Sequence, residues 1–104
     1  MKGEVVVIPF PFTDASSFKH RPAVILIELP GQDVVCAAIT STSNDPNAIA
    51  LDKNDFQSGN LKHPSFVHPT KLFTCERDEI IRTVGRITEN KRNEITSKIV
   101  ALLN

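Results

Sequence analysis

A small, mainly β domain with a C-terminal helix (α+β) is the fold class that the sequence predicts, and three observations predict it. Residues 4–10, 22–28 and 34–39 are dense apolar stretches rich in valine, isoleucine and other strand formers. Proline, glycine or small polar residues bound each of them, which punctuates the chain into short strands. From Asn90 to Leu103 the period changes, with Ile95, Ile99, Leu102 and Leu103 at i, i+4, i+7 and i+8, one apolar face of a helix. The architecture that follows is a strongly bent, barrel-like antiparallel sheet closed off by that helix.

Taken in order, Glu4 to Phe10 is the first strand, and its near-continuous β-branched run predicts burial on both faces. Pro9 and Pro11 are expected to end it, because neither donates to a ladder. Phe12 to His20 reads as a loop too long for a tight hairpin, and loops of that kind often carry function. Pro22 to Glu28 is the second strand, Pro30 to Asp33 a turn, and Val34 to Ile39 the third strand of a meander. Thr40 to Asn44 is a run of hydroxyl and amide side chains where a buried strand surfaces. Such a run often only caps its own backbone.

Ala48 to Leu51 is a short strand, and Asp52 is placed to cap one helical turn up to Phe56. Ser58-Gly59-Asn60 is expected to break the chain. Residues 65–67 and 70–74 are strand-like around Pro69, and Glu76 to Glu79 forms a turn. Arg82 to Thr88 is the last strand, where Gly85 signals a bulge or a close backbone approach. Thr88 or Asn90 caps the helix, whose wet face carries Lys91, Arg92, Glu94 and Lys98.

With 104 residues and no repeat or linker, the chain is one domain, residues 1–104. No apolar run has the length of a membrane span, and the start of the chain runs directly into a strand pattern, so no signal peptide is expected. Two cysteines are too few for a disulfide framework, so a reduced, cytoplasmic setting is expected. Twelve basic and twelve acidic residues balance, which excludes a strongly basic nucleic-acid binder on bulk charge. The balance is uneven along the chain: residues 1–55 hold four basic and seven acidic residues, residues 56–104 eight and five. A local basic face is therefore compatible with a neutral chain.

Lys19-His20-Arg21-Pro22 runs straight into the second strand. Proline at the join biases Arg21 towards an extended conformation and puts a guanidinium at the mouth of the sheet. That planar fork of donors suits a phosphate, although a solvated surface arginine would look the same. If the second and third strands pair, Arg21 and Thr40 reach the same sheet edge. Cleavage of RNA at phosphorus needs little more, because the ribose 2′-hydroxyl is the nucleophile. The enzyme has to move two protons and stabilise a charged phosphorane. His20 is the candidate for proton transfer. His63 and His68 each precede a proline and read as turn residues. No metal-ligand spacing, no phosphate-binding glycine loop and no cofactor motif is present. Cys36 reads as a core residue and Cys75 has no evident partner, so neither reads as a nucleophile.

Gly3-Glu4-Val5-Val6-Val7, Pro9-Phe10-Pro11-Phe12-Thr13-Asp14, His20-Arg21-Pro22-Ala23-Val24-Ile25-Leu26 and Ala37-Ala38-Ile39-Thr40-Ser41 follow one another in this order. With Ser65-Phe66-Val67, Lys71-Leu72-Phe73-Thr74 and Gly85-Arg86-Ile87, they resemble the PemK/MazF toxins of type II toxin–antitoxin systems over nearly the whole chain. The resemblance implies an SH3-like barrel, a homodimer, and a sequence-specific endoribonuclease that cleaves single-stranded mRNA without a metal, leaving a 2′,3′-cyclic phosphate and a 5′-hydroxyl. It implies Arg21 and Thr40 as the catalytic pair, with Thr13, Asp14, Phe18, Lys19, Ser41, Thr42 and Lys71 as candidate RNA-binding residues. The implied partner is an antitoxin whose disordered tail folds over the RNA groove. The chain departs from the family in Gly3-Glu4 where Gly-Asp is usual, in the composition of its 14–19 loop, and in its neutral charge. The general base stays open. Two alternatives stand beside this reading: a CcdB-like gyrase poison on the same barrel with no chemistry of its own, and a catalytically silent module that binds antitoxin or RNA.

Overall fold

The structure is a computed structural model that describes residues 1–11 and 18–104, with the side chains of Pro11, Phe18 and Lys19 left aside. Its strands are β1 (Glu4–Pro11), β2 (Phe18–Glu28), β3 (Asp33–Thr40), β4 (Ile49–Leu51), β5 (Phe56–Gly59), β6 (Ser65–Glu76) and β7 (Arg82–Ile87), followed by α1 (Glu89–Leu103). They form one antiparallel sheet in the order β4-β6-β3-β2-β1-β7-β5, curled into a half-barrel. The expected β1-β2-β3 meander is its centre.

Central strands with continuous apolar sequence are buried on both faces here. On one face Val5, Val24, Ala37 and Ile39 pack with Leu51, Val67, Ile87 and the helical Ile95. On the other, Val6, Ile8, Ala23, Ile25 and Cys36 form a second cluster, against which Phe10 and Phe73 pack edge to face at 5.1 Å. The alternation of β residues between faces assigns one set to each cluster.

Prolines do not end β1 as expected, since Pro9 pairs with His20 and Pro11 with Phe18. The carbonyl of Val7 accepts from Ile81 N–H, so the backbone polar groups of Val7 point towards the β7 side. Pro9 and Pro11 lie two and four residues on and point the same way, beyond Val7, where the β1–β7 ladder has ended. Their missing N–H groups therefore break no rung, as prolines at an edge do not. The second strand accordingly starts at Phe18 instead of Pro22.

Ser58 and Gly59 do not break the chain but belong to β5, paired with Arg86 and Gly85 of β7. Gly85 allows the approach, because a Cβ there would stand 2.6 Å from the Ser58 carbonyl oxygen. Asp52 caps the short 3-10 turn Lys53–Asp55 as expected, accepting from Asn54 N–H at 2.8 Å. Pro69 sits where β6 slips: Ala37 pairs with Leu72 and Ala38 with His68, leaving residues 69–71 out of the ladder. Thr88 caps α1, accepting from Lys91 N–H at 3.1 Å. Of the four apolar positions on that helix only Ile95 is fully buried; Ile99 is half-buried and Leu103 is 81% exposed. Lys91 belongs to the buried side rather than the wet face, with its ammonium on the Ala50 carbonyl and 3.6 Å from Asp55. No helix among the described residues is long and apolar enough to cross a membrane.

Candidate active site

Pro22 decides where the sheet opens. It pairs with Val7 on β1, whose polar groups face away from it, so the backbone nitrogen of Pro22 points at β3. That nitrogen carries no hydrogen, and the β2–β3 ladder stops one residue short of it, at Ala23–Ala38. Arg21 and Thr40 would form the next pair on the Ala23–Ala38 face. With the ladder ended, their strands are free to part, and both residues line a groove of about 570 Å³. The convergence expected from antiparallel geometry is thus present, with proline as the device that keeps the rim open.

Basic and polar side chains share the lining of the groove with apolar ones. Arg21, Lys62 and Arg82 line it together with His20 and His63, and among the described residues no carboxylate does. The chain is neutral overall, yet three cations from two halves of the sequence meet here. Low-dielectric walls of one sign focus potential in a cleft, so this groove favours an anion. Arg82 arrives because β7 runs antiparallel to β1 and pairs it with Val7, across from Pro22. Lys62 and His63 arrive on the connection that leads into β6.

Thr40 is the most elaborately held hydroxyl at the site. Its Oγ1 donates to the Thr42 carbonyl at 2.7 Å and lies 3.0 Å from Nε2 of His68. His68 is not a turn residue, as its place before Pro69 suggested; it lies within β6, paired with Ala38, and is buried. Pro69 ends regular pairing only after it. Behind the imidazole, Nδ1 faces Asp45 Oδ2 at 3.6 Å. The backbone N–H of Asn47 donates to Asp45 Oδ1 at 2.9 Å and is the main reason that its carboxyl titrates below the usual carboxylate range. Partial burial opposes that, and His68 adds to it.

The other sequence-predicted residues divide. His20 is exposed and lines the groove, as does Ser41. Thr42 offers its carbonyl to Thr40. Lys71 does not join them: it lines a separate hollow with Phe10, Leu72 and Phe73, next to the slip in β6. Phe18 and Lys19 are in β2, opposite Pro11 and Phe10, while Thr13 and Asp14 lie outside the described residues. Sequence reading missed Lys62 and Arg82. The only signal for Arg82 was its position at the start of the last strand, and it means little until β7 is known to pair with β1.

Neither cysteine is an activated nucleophile. Cys36 and Cys75 are buried free thiols on one face of the β3–β6 pair. Burial first, then the neighbouring Cys75, pushes the Cys36 thiol up to about 12, and burial raises Cys75 as well. Among the described residues no three His, Cys, Asp or Glu side chains converge as metal ligands would.

The half-barrel is one seen before. A mycobacterial endoribonuclease in complex with its cognate antitoxin superposes with a TM-score of 0.75 at 19% identity, over 99% of this chain and 91% of that one. The Mycobacterium tuberculosis toxin MazF-mt6 gives 0.74 at 18% identity, over 96% and 95%. A MazE–MazF structure from Deinococcus radiodurans gives 0.75 at 17% identity, over 97% and 92%. These likenesses establish the fold. No curated protein matches the sequence. A family model does, over residues 1–103, and on that match the chain belongs to the PemK-like, MazF-like toxins of type II toxin–antitoxin systems.

Proposed function

We propose that this toxin is an endoribonuclease that cuts single-stranded RNA, mRNA in the cell, by attack of the 2′-oxygen on the adjacent phosphorus. The P–O5′ bond breaks, and the ends are a 2′,3′-cyclic phosphate and a 5′-hydroxyl. The nucleophile belongs to the substrate, so the chemistry calls for donors around one phosphate and a route for two protons. The observation that carries the reading is the meeting of Arg21 and Thr40 in a groove lined also by Lys62 and Arg82, with no carboxylate among its described lining residues.

Arg21 has the role of a forked donor to the equatorial oxygens as negative charge grows on them. Thr40 donates its hydroxyl to the same phosphate. His20, exposed on the same rim, is the group for proton transfer to or from the 2′- and 5′-oxygens. Lys62 and Arg82 neutralise neighbouring phosphates and set the path of the strand. Family membership and the antitoxin-bound mycobacterial structure support a cognate antitoxin as partner, and the groove's charge suits an acidic segment of it. A homodimer, as the resemblance implies, is part of the same proposal.

The test is to incubate purified, antitoxin-free protein with a long unstructured RNA in EDTA and to map the 5′ ends. Recurrent cuts at one short motif, absent with Arg21→Ala, are the expected result. Intact RNA from folded protein would overturn the ribonuclease assignment and favour a gyrase-type poison or a silent binding module.

A further inference from the structure

Thr40 has one hydroxyl proton and two close polar neighbours. The Thr42 carbonyl at 2.7 Å only accepts, so that proton is directed to it. The 3.0 Å contact to His68 must then be donated by the ring, which places a proton on Nε2. His68 is 4% exposed and lies behind the groove wall, one diagonal step from Thr40 on the same face of the β3–β6 pair. Its Nδ1 makes no hydrogen bond and faces the Asp45 carboxylate at 3.6 Å. Asp45 is itself fixed by Asn47 N–H and reached by the Thr70 hydroxyl at 3.4 Å. Asp45, His68 and Thr40 thus form a line from outside the sheet to the rim where Arg21 stands.

Resting on the ribonuclease reading, we infer that His68 is a positioning residue for that reaction, acting on the scissile phosphate through Thr40. When a phosphate enters, the Thr40 O–H leaves the Thr42 carbonyl and turns to a non-bridging oxygen. The Nε2–H bond holds Oγ1 in place while the proton is re-aimed. Donation into Oγ1 also polarises the O–H and makes it a stronger donor. The ring is buried and fixed within β6 beside Thr40, so the hydroxyl is ordered before substrate arrives. The slip at Pro69 serves this arrangement, since β6 follows regular pairing with β3 as far as His68 and leaves it only afterwards.

Single-turnover cleavage separates this role from ordinary packing. The proteins are wild type, His68→Leu, His68→Gln, Thr40→Ala and the double variant Thr40→Ala/His68→Leu, each checked for a cooperative melt. His68→Leu is expected to slow the chemical step about tenfold with RNA affinity kept, the loss of one hydrogen bond. His68→Gln, which retains an N–H donor, is expected to recover part of that. In the Thr40→Ala background His68→Leu is expected to add nothing, because its effect passes through the hydroxyl. An equal loss in both backgrounds, or none in either, overturns the inference while leaving the ribonuclease in place. Should His68→Leu not fold, the imidazole nitrogens of wild type decide by NMR: an unprotonated Nε2 overturns the inference, and a protonated Nε2 whose exchange protection is lost in Thr40→Ala supports it. RNA left intact by folded wild-type protein overturns the ribonuclease reading, and this inference falls with it.

Discussion

Pro22 pairs with Val7 on β1 and forms no rung with β3, although Ala23 beside it is paired on both sides. One missing N–H therefore separates a closed sheet from an open rim. Replacing it with Pro22→Ala restores a donor facing Ile39 and lets the ladder run one rung further. Hydrogen exchange is expected to show the new amide at position 22 protected, and RNA cleavage to fall several-fold as the rim closes. The loss of proline's stiffness costs about 0.4–1 kcal/mol through the unfolded chain, and the new hydrogen bond returns about as much, so the midpoint of urea unfolding should hardly move. Rapid exchange at position 22 together with full activity would show that proline is not what opens the groove.

Arg21 is expected to be irreplaceable by charge alone. In the proposed reaction its donors act where charge develops, and removing one such group lowers turnover by about 10²–10³-fold. Arg21→Ala should show that loss in protein that still melts cooperatively, since alanine keeps the backbone pairing of position 21 with Ile8. Arg21→Lys keeps the charge but replaces a planar fork by a point donor, and should recover only part of the rate. Rates measured at saturating protein make the comparison; a lysine variant as fast as wild type would reduce Arg21 to an electrostatic role.

Lys62 and Arg82 line the groove on elements other than those of Arg21 and Thr40, which suits them to phosphates along the strand rather than the one cut. Lys62→Gln and Arg82→Gln should then weaken binding more than they slow chemistry. For every phosphate that a variant no longer neutralises, the slope of log K against log salt becomes shallower by about 0.7 on single-stranded nucleic acid. Anisotropy titrations of an oligonucleotide with a 2′-deoxy cleavage site, over a range of salt, measure this directly. Unchanged slopes in both variants would remove the basic lining from the RNA path.

The sequence showed the centre of the molecule better than its edges. Three apolar runs, buried on both faces, announced the β1-β2-β3 meander, and antiparallel pairing alone brought Arg21 and Thr40 to one rim. Strand β5 escaped notice because Ser58 and Gly59 look like a breaker, and their pairing depends on Gly85 some twenty-five residues later. Pro9 and Pro11 misled for a related reason: whether a proline ends a strand depends on which side its nitrogen faces, and that is known only once β7 is placed. His68 was hidden by its proline neighbour, and Lys62 and Arg82 by a topology that local pattern does not encode. A sum of charges over the chain does not show the basic groove, because Arg21, Lys62 and Arg82 come to it from segments far apart in sequence.

Asp45 ties the rim to the pH dependence of stability. Its carboxyl titrates below the usual range in the folded protein, chiefly because Asn47 N–H donates to it, with His68 adding a smaller part. A folded-state value below the unfolded one means that the unfolded chain binds the proton more readily. The stabilisation is therefore fully present above the unfolded carboxylate range and is lost as pH falls through the folded value. Asp45→Asn keeps an acceptor for Asn47 but has no proton to take up. Thermal melts of the two proteins, run from about pH 6 down to about pH 2, should show wild type the more stable at the upper end and the difference shrinking as acid is added. Every other carboxylate is common to both proteins, so the difference between the profiles reports on Asp45 together with the His68 beside it. A constant offset across the range would mean that Asp45 holds the rim by packing and hydrogen bonding alone, without a contribution from its charge.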